Sequence, residues 1–198
     1  MDSAYLADLV RGATVWIIPV ILAITLHEAA HGWAASRLGD PTARLMGRVT
    51  LNPFAHIDPF GTLILPALLL IIKAPFLFGY AKPVPVNFSR LNNPRRDMAL
   101  VALAGPASNV LLATIAALLV HLVDAVPVFA SEWLADNLSN LFWLNLVLAV
   151  FNMLPIPPLD GGRILVSILP DRLAWKIARL ERAGLFIVIG VLFLLPFM

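Results

Sequence analysis

The sequence predicts an all-α polytopic membrane protein, a bundle of about four to five transmembrane helices with a re-entrant segment and a short membrane-associated β element. Three observations predict it. Of the 198 residues, 60% are hydrophobic and 13% charged, against roughly 25% charged in an average soluble domain, and the mean hydropathy is +0.88. The charges cluster, with long uncharged stretches between them, as required of helices that cross about 30 Å of hydrocarbon. Prolines and glycines gather at a few places, which marks where helices break or end.

The first apolar segment, Val10 to Ala35, is interrupted near its C-terminal end by Thr25, His27, Glu28 and His31, and it is long enough to span. A polar stretch runs from Ser36 to Pro59. Its turn signals surround the alternating run Arg48-Val49-Thr50-Leu51; the stretch reads as one or two short strands, and the run is a candidate edge for an unwound substrate. Segment two, Phe60 to Phe78, is broken by Pro66, Lys73 and Pro75 and leads into Tyr80-Ala81-Lys82-Pro83-Val84-Pro85-Val86-Asn87. Segment three, Met98 to Val123, carries Gly105-Pro106-Ala107-Ser108-Asn109, small residues that let a neighbouring helix come close. Segment four, Trp133 to Met153, ends in Leu154-Pro155-Ile156-Pro157-Pro158-Leu159-Asp160-Gly161-Gly162, where no continuous helix can form. An amphipathic basic stretch, Arg163 to Arg182, precedes the last apolar segment, Ala183 to Phe197. Within it Arg172, Lys176, Arg179 and Arg182 form a stripe suited to lipid headgroups.

Charge placement predicts topology. Asp124, Glu132 and Asp136 stand between segments three and four without a Lys or Arg, whereas Arg37 to Arg48, Lys82 to Arg96 and Arg163 to Arg182 are basic and belong on the cytoplasmic side. A single crossing by segment two would put two basic stretches on opposite sides, so it is expected to dip in and return.

With no cysteine in the chain, disulfides, thiolate metal sites and cysteine nucleophiles are excluded, and any metal must be held by His, Asp or Glu. The net charge of +2 lies at membrane edges and does not indicate nucleic acid. The informative motif is His27-Glu28-Ala29-Ala30-His31. Histidines at i and i+4 share a helical face and can reach one zinc ion, with Glu28 close enough to act as a base. Ionisable groups inside a spanning helix are costly and by default functional. Catalytic zinc takes three protein ligands, and the candidates for the third are Asp160, His56, His121, Glu132, Asp124 and Asp136. The last four flank the loop at the far end of segment one. His56 reads as a loop histidine satisfied by backbone or water. Asp160, flanked by Gly161 and Gly162, is the choice, the alternative being that it caps a helix starting there.

These residues resemble the site-2 protease family of intramembrane zinc metalloproteases, in its compact form without an inserted PDZ or CBS domain. The resemblance rests on His27-Glu28-Ala29-Ala30-His31, on Gly105-Pro106-Ala107-Ser108-Asn109, and on Asn152 to Gly161. It implies one Zn2+ per chain on His27, His31 and Asp160, Glu28 as general base, Asn152 as a helper at the substrate carbonyl, and a three-helix catalytic core. It also implies a zinc endopeptidase acting on a membrane-protein substrate with a transmembrane helix, in the lipid bilayer of a multi-pass cell-membrane protein. Residues 1–198 read as one such domain, with the catalytic core over about 10–170 and the C-terminal basic stretch and last helix over 171–198. His27 lies 10 residues before Arg37, or about 15 Å along a helix, which puts the site inside the bilayer towards the cytoplasmic side. Asn109 reads as an interhelical hydrogen-bonding residue or one that orients a metal ligand. The rival reading is a catalytically silent metal-containing membrane binding protein.

Overall fold

The computed structural model describes residues 3–73 and 79–194. Helices account for nearly all of its regular structure, in the order α1 (Ser3–Arg37), α2 (Thr42–Leu45), α3 (Leu65–Ile71), α4 (Pro94–Leu119), α5 (Val128–Asn152), α6 (Asp160–Ile168), α7 (Asp171–Leu180) and α8 (Gly184–Leu194). Three helical stretches are long and apolar enough to cross a membrane: Val10–Arg37, Pro94–Ala125 and Val128–Asn152. The last apolar segment is described as an 11-residue helix, Gly184–Leu194, and its residues 195–197 lie outside the described residues. So do residues 74–78 of segment two, with Pro75 among them.

The three long helices form the core. α4 packs between α1 and α5 and also against α6. Its direction follows from its partners: Val101 meets His31 of α1, whereas Asn109, further along α4, meets His27 and Ala23, earlier on α1. α4 is therefore antiparallel to α1. α5 runs parallel to α1, because Trp133 and Asn140 bond Thr14 and Val15 and Asn145 reaches Asn109. Small residues at the contacts, Ala23, Ala34, Ala102, Ala113, Ala116 and Ala149, are buried and let the backbones approach. Outward faces carry Trp16, Ile17, Leu111, Leu118, Trp143 and Val147, all exposed, while Asn109, Asn145, His27, His31 and Asp160 are buried. Apolar outside and polar inside is the arrangement that hydrocarbon imposes. This is a membrane protein.

Between α1 and α4 the chain turns back on itself. A π-helical stretch, Pro59–Ile64, continues into α3, and Asp58 caps it by accepting from the amides of Phe60 and Gly61. Lys73, just past α3, has a φ of 52°, a left-handed conformation that suits a turn. By Tyr80 the chain is back at its start, since the Tyr80 amide donates to Gly61 O at 3.0 Å and Thr62 Oγ1 donates to Tyr80 O at 2.9 Å. α1 ends, and antiparallel α4 begins, on the same side of the bundle, so the segment between them returns to the side it left.

The strand expected over Arg48–Leu51 is a correction: these residues form bends and turns, and no strand occurs among the described residues. The reason lies in the neighbouring run Tyr80–Asn87, which has no regular structure and forms no ladder. Pro83 and Pro85 have no N–H to give to a ladder. Arg48, itself buried, instead sends its guanidinium to the carbonyls of Lys82 and Pro83, at 2.8 and 3.4 Å. Beyond α5 the basic stretch divides into α6, packed on α4, and α7, whose Arg172, Lys176 and Arg179 are exposed. The Arg182 side chain lies outside the described residues.

Candidate metal centre

α1 presents His27 and His31 one turn apart on the face turned towards α4. The turn after α5 brings in the third group. Met153 to Leu159 folds tightly, with Ile156 N donating to Leu154 O and Leu159 N to Ile156 O, and α6 starts directly against it. That approach needs glycine: a Cβ on Gly161 would collide with the carbonyls of Met153 and Leu154, and one on Gly162 with the backbone of Ile156 and Pro157. Asp160 is the first residue of α6, yet its buried Oδ2 has no hydrogen-bond partner in the helix. Its carboxylate points at the histidines instead.

The three groups converge. His27 Nε2 and His31 Nε2 are 3.0 Å apart, Asp160 Oδ2 is 3.2 Å from His27 Nε2, and Asp160 Oδ1 is 3.4 Å from His31 Nε2. Donors held at 2.0–2.1 Å around tetrahedral zinc lie about 3.3 Å from one another. The polarity also fits a cation. His31 Nδ1 is 2.7 Å from Val101 O, a carbonyl that only accepts, and His27 Nδ1 is 2.5 Å from Asn109 Oδ1. Protons on both Nδ1 atoms leave both Nε2 lone pairs facing a carboxylate. Asp160 Oδ2 is buried with no hydrogen-bond donor. Among the described residues this is the one cluster of three His or carboxylate groups arranged to hold a metal ion. Gly105 of α4 closes over it, and a Cβ there would collide with both imidazoles. The small-residue run therefore makes room for the two imidazoles as well as for a helix.

Glu28 is half-buried, and its Oε2 accepts the N–H of Val84 at 2.8 Å. Val84 stands between Pro83 and Pro85, so its N–H is the sole amide donor over residues 83–85. The run is pinned at both ends as well: Lys82 N donates to His56 O at 2.9 Å, and Asn87 N to Asp40 Oδ2 at 2.6 Å. Burial opposes ionisation of Asp40. The hydrogen bonds from the Thr42 hydroxyl and the Asn87 and Thr42 amides, with the nearby charge of Arg90, outweigh it and hold the carboxyl below its usual range.

The other candidates lie elsewhere. His56 is buried with Nε2 3.0 Å from Thr50 O. Glu132 and Asp136 bond Arg11 at the far end of α1, at 3.3 and 3.0 Å, and His121 and Asp124 are exposed beyond α4. Asn152 donates to Leu148 O of its own helix at 3.0 Å, and no hydrogen bond joins it to the histidines or Asp160. Sequence reasoning passed over Asn145, which is fully buried and bonded to Asn109. The available signal was an amide in mid-span, where polar groups need partners.

Comparison with known proteins decides the family. The model of the family described as "Peptidase family M50" matches residues 15–131 and 126–197. The chain belongs to peptidase family M50. Named relatives agree. The chain is 43% identical over 184 residues to "Putative zinc metalloprotease YwhC" of Bacillus subtilis, covering 91% of this chain and 80% of that protein. It is 32% identical to "Putative zinc metalloprotease Rip2" of Mycolicibacterium smegmatis, covering 89% of this chain and 65% of the relative. Rip2 of Mycobacterium tuberculosis strain H37Rv is also 32% identical, with 98% and 70% covered. The chain thus spans about two thirds of the length of the mycobacterial proteins. No solved structure matches it. The resemblance to site-2 proteases holds, and this M50 chain is a metalloprotease whose His27, His31 and Asp160 form a site that suits the zinc for which its relatives are named.

Proposed function

We propose that the protein is an intramembrane endopeptidase that hydrolyses peptide bonds in the transmembrane segments of membrane-protein substrates, as in regulated intramembrane proteolysis. One observation carries the reading: the donor atoms of His27, His31 and Asp160 converge at a buried point among helices whose outer faces are apolar. His27, His31 and Asp160 hold the ion. When bound, zinc supplies a Lewis acid that acidifies water and polarises the scissile carbonyl. Glu28 Oε2 rests on Val84 N–H, and Oε1 remains to take a proton from the attacking water. Glu28 then returns that proton to the leaving amine, so that water adds across the peptide bond without net loss of a proton. Asn152 is assigned as a helper at the substrate carbonyl, a role that requires its amide to leave Leu148 O. The site lies towards the cytoplasmic side of the cell membrane, and segment two dips in from that side. A substrate helix has its carbonyls hydrogen-bonded internally and must unwind before it is cut.

The test is metal content and cleavage of a single-span reporter by purified wild type, Glu28→Ala and Asp160→Ala in liposomes. One zinc in wild type and Glu28→Ala, little in Asp160→Ala, and cleavage by wild type alone is the expected pattern. Zinc retained in all three without cleavage of any of several reporters would favour the silent binding protein.

A further inference from the structure

We infer that Asn109 and Asn145 are positioning residues for His27, and that together they fix which of its ring nitrogens faces the metal. The inference rests on the metal reading of the site. Both side chains are 0% exposed, where an unpaired amide is costly, and their hydrogen bonds run in one sense only. The main-chain carbonyl of Leu141 can only accept, so Asn145 turns its nitrogen to it, at 2.8 Å. Asn145 Oδ1 then faces Asn109, whose Nδ2 donates to it at 2.7 Å and also approaches Ala23 O at 3.4 Å. This leaves Asn109 Oδ1 towards His27, 2.5 Å from Nδ1. An amide oxygen only accepts, so Nδ1 carries the proton and Nε2 keeps its lone pair. Nε2 is the atom beside Asp160.

His31 reaches the same tautomer through a single bond to Val101 O. His27 reaches it through two amides, and the second of them belongs to α5, which supplies none of the three ligands. The relay makes the three long helices jointly responsible for one ligand's orientation. Neutral amides do this without placing a further charge in the membrane. Polar partners of metal-bound histidines typically change metal affinity by about 10- to 100-fold when removed.

The test uses the full-chain protein in detergent, stripped of metal and titrated with Co2+ against a competing chelator, with the visible bands of bound Co2+ as a second readout. Asn109→Ala and Asn145→Ala should weaken Co2+ binding by about tenfold or more and shift the bands. Asn145→Asp in its neutral form keeps both an acceptor for Asn109 and a donor for Leu141 O, and should restore affinity to near wild type. Asn137→Ala is the control, because Asn137 is buried on α5 but bonds only Trp133 O of its own helix among the described contacts. It should lower the melting temperature and leave Co2+ binding unchanged. Asn109→Ala or Asn145→Ala binding Co2+ as tightly as Asn137→Ala would overturn the relay. If Asn109→Ala does not fold, Asn145→Ala against Asn145→Asp decides alone. A wild type that binds no Co2+ would overturn the metal reading itself, and the relay with it.

Discussion

Glu28 differs from its neighbours His27 and His31 in what holds it: a backbone amide from a separate stretch of chain, where they have partners on α4. Glu28→Gln keeps a group that can accept from Val84 N–H but cannot take a proton, so turnover should fall by about 10²- to 10⁴-fold with metal content unchanged, measured by reporter cleavage beside metal analysis. Gly105→Ala should do the opposite. Its methyl group would occupy the space of both imidazoles, so metal content should fall first and activity with it. Asp40 gives a pH signature away from the chemistry. Its carboxyl is held below its usual range in the fold, so the unfolded chain binds the proton more readily. Its stabilisation is complete above the unfolded pKa of about 3.9 and is lost as pH falls through the lower folded value. The melting temperature of Asp40→Asn should therefore trail wild type at pH 6, and the gap should close below about pH 4.

At the scale of elements, the legible parts of the sequence were those with a period or a spacing. The long apolar runs became α1, α4 and α5, and the i, i+4 histidines fell on one face. The Pro- and Gly-rich motif became the turn that aims Asp160. Arg48–Leu51 misled because alternation reports a side-chain pattern and not whether a partner has amides to offer, and Pro83 and Pro85 withhold theirs. Asn145 was missed because a single amide in an apolar helix carries no pattern at all; its meaning depends on which helix lies opposite. Charge alone led to the expectation that the segment around α3 returns, and the hydrogen bonds between Gly61, Thr62 and Tyr80 bring its two ends together. Cysteines placed at Ser36 and at Tyr80 should be labelled from the same side of sealed vesicles by an impermeant reagent. Labelling from opposite sides would mean that segment two crosses.

Across the whole molecule the proposed metal site joins distant parts, since two of its three side chains come from α1 and one from α6. Removing metal should loosen α6 and the turn before it, read as faster amide exchange over residues 153–168, while α5 keeps its protection. The loss in stability should be about 4 kcal/mol if the ion is supplied at a thousand times its dissociation constant. Asp160→Ala should melt at the temperature of the chelator-treated wild type and show no further drop with chelator. The same separation in sequence sets a clock. His27 and Asp160 are 133 positions apart, which at 5–20 residues per second is roughly 7 to 27 s of synthesis. Through that interval the nascent chain displays its histidines and its glutamate without Asp160. On the proposed ligand set and activity, a hydrolase inserted among other newly made helices is thereby harmless to them until α6 of its own chain has arrived.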